Sequence, residues 1–206
     1  VPSTLQQSIV HIGILLVQSV INSFGSTAIA GYSAGMRIES LSIVPMLAMG
    51  NAMSTFTAQN MGAGKIDRVK EGYRMCYVIV LTAGAVLCVM YQLAGGAFVS
   101  LFLDSGSSEA YSVGLSYVKF LSFFYSFIGL KASTDGLLRG AGDVTAFTVA
   151  NLVNLAIRVS VTNLFAPVYG IQVAWMAVPL GWAANYVISF GWYLTGKWKK
   201  VRVIKK

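Results

Sequence analysis

The sequence predicts an all-α polytopic membrane protein in which six transmembrane helices form one bundle. Of the 206 residues, 56% are hydrophobic and only 11% are charged, and the mean hydropathy is +0.68. A soluble globule needs more polar surface than this. Six apolar stretches reach the roughly 20 residues that a helix needs to cross a bilayer. Twelve of the 15 lysines and arginines fall in alternate gaps between these stretches or after the last one.

The alternation of the cations predicts the orientation of the helices. They follow the second, fourth and sixth stretches, at Lys65, Arg68, Lys70, Arg74, Lys131, Arg139, Lys197, Lys199, Lys200, Arg202, Lys205 and Lys206. The other three gaps carry no cation. Because lysine and arginine are retained on the cytoplasmic side during insertion, we expect a multi-pass protein with both ends of this segment cytoplasmic. The chain opens on Val1 and not on Met, so we expect it to be a piece of a longer protein.

The six predicted helices run, in chain order, over Leu5 to Ser23, Ala28 to Thr57, Met75 to Phe98, Tyr111 to Leu130, Val144 to Phe165 and Val173 to Leu194. The second is too long for one simple crossing and contains Pro45, so it should tilt or kink. The third holds two free buried cysteines, and a cytoplasmic loop follows the fourth. The sixth contains Pro179, and Trp192, Tyr193 and Trp198 at and just beyond its end should lie in an inner aromatic belt.

Several functions are excluded by what the sequence lacks. Gly62-Ala63-Gly64-Lys65-Ile66 has neither the earlier glycine nor the following Ser or Thr of a phosphate loop. One histidine and two cysteines cannot make a zinc site, and no nucleophile-elbow sequence is present, so we expect no enzyme, no catalytic residue, no metal site and no cofactor. The cations are spread by membrane side and not gathered on one amphipathic face, so we expect no nucleic-acid partner.

Polar side chains at membrane depth are the candidate functional residues, because such groups are expensive there. On the first helix, Gln7, His11, Gln18 and Asn22 fall on one helical stripe. The second helix carries Arg37 and Glu39, which point about 200° apart, so neither can pair with the other.

The fourth helix adds Lys119, and the fifth adds Asn151 and Arg158 on one polar stripe. These nine residues are predicted to line a substrate or ion pathway. The alternative is that the uncharged ones only hold helices together, at about 0.6 to 2 kcal/mol for each hydrogen bond.

Glu39 is the one carboxylate that this interpretation places deep within the six helices. It is either a proton carrier in an apolar setting or the partner of a cation such as Arg158 or Lys119. Both alternatives are kept at this point, together with a role in contacting the substrate.

Two segments identify a family. The run from Pro45 to Lys65, which ends in Gln59-Asn60-Met61-Gly62-Ala63-Gly64-Lys65, resembles the eighth helix of the multidrug and toxic compound extrusion (MATE) transporters. Gly136-Leu137-Leu138-Arg139-Gly140-Ala141-Gly142-Asp143 resembles the loop between their tenth and eleventh helices. The two segments occur in the family's order, which makes the match more specific than either one alone.

The resemblance implies that residues 1–206 form a single six-helix lobe, the C-terminal half of the twelve-helix MATE fold. It implies a secondary antiporter that exports drugs, organic cations or metabolites by alternating access in exchange for protons or sodium. The partners are then membrane lipid, small amphipathic or cationic substrates and the N-terminal lobe of the same transporter, and the location is the bacterial inner membrane. The acids that one branch uses for sodium are replaced here by Gln7 or His11 and by Lys119.

Two alternatives stay open. Exporters of lipids or polysaccharides share the same superfamily, so a flippase is one. The other is a non-transporting membrane scaffold in which the polar stripes only join helices.

Overall fold

The computed structural model describes residues 2–104 and 108–200, and the side chains of 12–104 and 109–199. Within these ranges the fold consists of helices, which confirms the all-α prediction. They are α1 (Pro2–Asn22), α2 (Ser26–Gly62), α3 (Ile66–Ser100), α4 (Ser108–Ser122), α5 (Tyr125–Gly140), α6 (Val144–Tyr169), α7 (Gln172–Leu194) and the short 3-10 helix η1 (Lys197–Lys200). In the described residues, α2, α3, α6 and α7 are each long and apolar enough to cross a membrane.

The fourth predicted crossing is not one continuous helix. It is broken into α4 and α5, which meet at an angle of 53°. The break falls at Phe123 and Phe124, where the sequence contains neither glycine nor proline. The side-chain amide Nε2 of Gln92 on α3 donates to the Lys119 carbonyl oxygen and to the Ser122 hydroxyl, each at 2.8 Å. These bonds satisfy polar groups at the end of α4 that water cannot reach at membrane depth.

The predicted loop after the fourth crossing is mostly helix. The prediction ended that crossing at Leu130, whereas α5 continues to Gly140 and leaves only Ala141 to Asp143 as the connection to α6. Asp143 then caps α6, because its Oδ1 accepts from the Ala146 backbone amide at 3.4 Å. The prediction that Lys131 lies in a cytoplasmic loop is therefore wrong.

The centre of the bundle is the packing of α5 against α2. A Cβ at Gly136 would collide with the Gly50 carbonyl oxygen, and a Cβ at Gly140 would collide with the Ser54 carbonyl oxygen. Two glycines one turn apart on α5 thus let the two backbones touch, as small residues do between membrane helices. Around this contact lie buried side chains such as Met46 and Leu137.

The cation-bearing connections meet at one end of the bundle, as the predicted topology requires. At that end the Trp192 indole donates to Asp143 Oδ2 at 2.5 Å, which joins the end of α7 to the start of α6. The guanidinium of Arg37 lies at the opposite end, 5.9 Å from the ring centre of Phe102. Trp198 departs from the predicted aromatic belt, since its side chain is fully buried within the protein.

Replacement of Gly136 by alanine should separate α2 from α5. We expect Gly136→Ala to lower the free energy of unfolding by about 1 to 3 kcal/mol, the usual cost of overpacking a tight contact. Gly191→Ala is the matched control, because that helical glycine has open space around it and should be neutral or slightly stabilising. Thermal unfolding of the purified protein in detergent measures both. Equal stability of the two variants would contradict the close α2–α5 contact.

Candidate functional site

A buried carboxylate lies between α2 and α4. The side chain of Glu39 is 9% exposed, and its Oε2 accepts a hydrogen bond from the Tyr117 hydroxyl of α4. Gly31 and Gly35 precede Glu39 at helical spacing, and a Cβ at either would collide with α4. These glycines bring α4 so close to α2 that Tyr117 reaches Glu39.

Aromatic rings fix the position of Tyr117. The Tyr117 ring packs edge-on against Tyr32 at 5.3 Å and against Trp175 of α7 at 5.5 Å between ring centres. Tyr117 itself is 1% exposed. Its hydroxyl is therefore held towards Glu39 by the packing of the ring.

Arg158 of α6 is the cation that acts on this carboxylate. Its guanidinium interacts electrostatically with Glu39, but among the described residues Glu39 makes no ion pair. Asn154 Oδ1 and Thr162 Oγ1, one turn before and after Arg158, are buried with no hydrogen-bond partner in the described part of the chain. We call Glu39, Tyr117 and Arg158 the Glu39 site.

A second polar cluster joins α5, α6 and α7. The Lys131 ammonium lies 3.0 Å from Asp135 Oδ2 and 3.2 Å from Asn151 Oδ1. The Asn151 amide donates to Asp135 Oδ2 at 3.3 Å, and the Ser189 hydroxyl donates to Asp135 Oδ1 at 2.6 Å. Both carboxylate oxygens are thus occupied. The side chains of Lys131 and Asp135 are 12% and 6% exposed, so this is a buried, fully bonded ion pair.

This cluster corrects the sequence analysis on two points. Asp135 is a second carboxylate deep within the helices, whereas Glu39 was expected to be the only one. Lys131 was counted among the loop cations, yet it pairs with Asp135 one helical turn away. The spacing of four residues between them is a recognisable ion-pair signal. Asn151 belongs to this pair and not to the Glu39 site.

The other predicted site residues lie apart from Glu39. Gln18 and Asn22 bond each other along the exposed part of α1 at 2.9 Å. The side chains of Gln7 and His11 fall outside the described residues. Arg37 is exposed at the end of the bundle. Lys119, two residues after Tyr117, points the other way, towards Gly95 of α3.

An apolar cavity of about 290 Å³ lies beside the helix break. It is lined by Phe120, Phe124, Phe127, Met176, Pro179, Leu180 and Ala183, from α4, α5 and α7. Phe120 follows Tyr117 by one turn, and Pro179 follows Trp175 by one turn. The cavity and the Glu39 site therefore share α4, and α7 carries both part of the cavity lining and the Trp175 ring that packs on Tyr117.

Loss of one charge from the buried pair should be costly. We expect Asp135→Asn to lower the free energy of unfolding by about 3 to 5 kcal/mol, since it leaves the Lys131 ammonium buried without a counter-charge. The double change Lys131→Met and Asp135→Asn should recover most of this loss. Thermal or denaturant unfolding of the purified protein gives the values.

The matched control is the other helical Lys–Asp pair. Lys70 lies 2.6 Å from Asp67, but these side chains are 39% and 95% exposed. Asp67→Asn should cost less than about 1 kcal/mol, because water screens exposed pairs. An equally small effect of Asp135→Asn would show that the buried pair is not what joins α5, α6 and α7.

Comparison with known proteins places the chain in a family. The family model described as MatE matches residues 2–164. The probable multidrug resistance protein YpnP of Bacillus subtilis is 28% identical over 204 residues, covering 98% of this chain and 45% of that protein. The probable multidrug resistance protein NorM of Thermotoga maritima is 21% identical over 214 residues, covering 100% of this chain and 44% of that protein.

Solved structures agree on the fold. The outward-facing conformation of a multidrug resistance MATE family transporter of the MOP superfamily superposes with a TM-score of 0.83 at 17% identity, covering 92% of this chain and 42% of that one. The chain spans less than half the length of these relatives. The predicted resemblance is confirmed: the chain has the fold of one lobe and belongs to the MATE family of transporters.

Proposed function

We propose that the chain is the C-terminal lobe of a secondary active antiporter. The transporter exports amphipathic or cationic small molecules, such as drugs or metabolites, in exchange for protons or sodium. The chain belongs to a family of transporters. The observation that carries this proposal is that the Glu39 carboxylate is buried and makes no ion pair among the described residues. A charge at membrane depth costs about 2.5 kcal/mol or more, so an unneutralised one is expected to have a function.

The Glu39 site suits a cation that comes and goes. Tyr117 leaves Glu39 with acceptor capacity, because one hydroxyl occupies only one of about four lone-pair positions on a carboxylate. Arg158 of α6 interacts electrostatically with Glu39, but the two side chains form no ion pair. We propose that a proton, sodium ion or substrate cation binds the free side of this carboxylate. The unpaired oxygens of Asn154 and Thr162 lie one turn before and after Arg158 on α6, and Asn154 Oδ1 lies close to Gly181 of α7.

Export also needs a second lobe. Related six-helix halves can rock about a midplane site and so expose it to each side of the membrane in turn. We propose that an N-terminal lobe faces α1, on which the sequence predicts a polar stripe of Gln7, His11, Gln18 and Asn22. Arg37, Lys119 and Asn151 are less suited to the pathway, because each contacts other parts of this lobe. The proposed location is the bacterial inner membrane, with both ends of this segment cytoplasmic.

Removal of the Glu39 charge tests whether this carboxylate takes part in transport. In a two-lobe transporter that carries this chain as its C-terminal half, we expect Glu39→Gln to reduce uphill efflux at least about tenfold. The amide cannot bind a proton or attract a cation in the working pH range, yet its oxygen can still accept from Tyr117. Gradient-driven efflux of a fluorescent cationic dye from proteoliposomes measures transport, and thermal unfolding checks the fold.

Glu109→Gln is the matched control, because Glu109 is an exposed acid at the start of α4. It should transport normally. Efflux by Glu39→Gln that equals the control, with the same dependence on pH and sodium, would contradict the proposed site. A large loss of stability would instead assign Glu39 a structural role.

The orientation is tested by labelling. Lys65 and Val168 are exposed near opposite ends of the bundle. In a background with Cys76→Ala and Cys88→Ala, an impermeant maleimide added to intact cells should label Val168→Cys. Lys65→Cys should react only after the membrane is permeabilised. The reverse pattern would overturn the proposed cytoplasmic placement of the cations.

A further inference from the structure

The end of the bundle at which the cation-bearing connections meet carries a basic surface built from two distant parts of the chain. We call it the basic rim, and its members are Lys65, Arg68, Lys70, Arg74, Lys197 and Lys199. Lys65 directly precedes α3, Arg68, Lys70 and Arg74 lie in its first three turns, and Lys197 and Lys199 belong to η1. All are exposed except Lys70, which is partly buried.

A buried tryptophan holds the second half of the rim in place. The Trp198 side chain is 0% exposed, stacks on the Tyr193 ring at 5.6 Å, and donates from Nε1 to the Tyr193 carbonyl oxygen at 3.0 Å. Tyr193 in turn packs on Tyr73 of α3, with 4.7 Å between ring centres. Trp198 of η1 is thus held against the end of α7, which in turn packs on α3.

This anchor fixes the ammonium groups on either side of it. Lys197 Nζ lies 5.0 Å from the Trp192 ring centre, and Lys199 Nζ lies 5.7 Å from the Trp198 ring centre. Lys199 also acts electrostatically on Asp67, the residue to which Lys70 is paired at 2.6 Å. The two halves of the rim therefore adjoin at Asp67.

The charge of the rim is strongly one-sided. Within the described first three turns of α3 and in η1, only Asp67 and Glu71 oppose the six cations. Retention of lysines on the cytoplasmic side during insertion needs only positive charge near the helix ends. It does not require that Trp198 be buried or that Lys197 and Lys199 be held in fixed positions. A ligand that several of these cations contact together would account for the fixed positions.

We propose that the basic rim binds the phosphate-bearing headgroups of anionic phospholipids in the adjoining leaflet. The rim adjoins the end of α7, a 23-residue helix long and apolar enough to cross the membrane once, so we place it near the lipid phosphates. Its charge is complementary to theirs, and lysine and arginine near an anionic surface each strengthen binding by roughly fivefold. The proposal is independent of the transported substrate and of the coupling ion.

The test uses the whole purified chain in an uncharged detergent. Dioctanoyl phosphatidylglycerol is titrated against the protein, with dioctanoyl phosphatidylcholine as the zwitterionic control, and the shift in unfolding temperature gives the apparent Kd. We expect saturable binding of the anionic lipid and at least about tenfold weaker binding of the zwitterionic one. Binding should also weaken as salt is added, because the contacts are electrostatic.

Two variants separate a built surface from loose positive charge. Lys197→Gln with Lys199→Gln should weaken binding of the anionic lipid by at least about fivefold. Lys205→Gln with Lys206→Gln removes the same charge from the end of the chain and should change the Kd less than about twofold. Trp198→Ala keeps every cation but frees the tail, and we expect about threefold weaker binding.

Several outcomes would overturn the proposal. An equal loss in the two lysine pairs would show that only the net charge of the tail matters. Inorganic phosphate that competes at the same concentration as the lipid would identify a free-anion site. An acidic peptide or an RNA oligonucleotide that binds more tightly than phosphatidylglycerol would identify a different class of partner. If Trp198→Ala does not fold, the two lysine pairs still decide the question.

Discussion

The contact between α2 and α5 is the constraint on which the other sites depend. Because Gly136 and Gly140 allow backbone to touch backbone, α5 is held against the long helix that carries Glu39. On its other side, α5 positions Lys131 and Asp135 towards α6 and α7. The break before α5 lets α4 lean separately onto α2, where it delivers Tyr117. One close contact thus sets the geometry of both polar clusters.

The two clusters show how the same kind of residue takes opposite roles. Asp135 is surrounded by an ammonium, an amide and a hydroxyl, which together saturate its oxygens. Glu39 receives one hydroxyl and a more distant guanidinium. In a low-dielectric interior a saturated carboxylate stabilises the packing, whereas an unsaturated one attracts a cation. Seven residues along α6, from Asn151 to Arg158, separate the two environments by roughly 10 Å.

The sequence predicted the class, the family and most helices, because long apolar runs and cation asymmetry are strong local signals. It did not predict the break at Phe123 and Phe124, where no glycine or proline signals it and the bonds that satisfy the end of α4 come from Gln92 on another helix. Lys131 was misplaced because a topology argument counts every cation near a helix end as exposed. Arg158 and Glu39 were identified only because they are charged residues within predicted transmembrane helices. The close approach of α4 to Glu39 depends on Gly31 and Gly35, and no sequence pattern specifies which helix packs against those glycines. The burial of Trp198 depends likewise on a tertiary contact, with Tyr193 and through it α3.

Gln92 also constrains the number of residues in α3 between Tyr77 and Gln92. On α3, Tyr77 bonds the Thr134 hydroxyl of α5 at 2.9 Å, while Gln92 bonds the end of α4. Insertion or deletion of a single residue between them would rotate one partner by about 100° and shift it by about 1.5 Å relative to the other. Both bonds could not then form together. Natural variation in this stretch of α3 should therefore consist of substitutions, with gaps confined to the connections outside the helices.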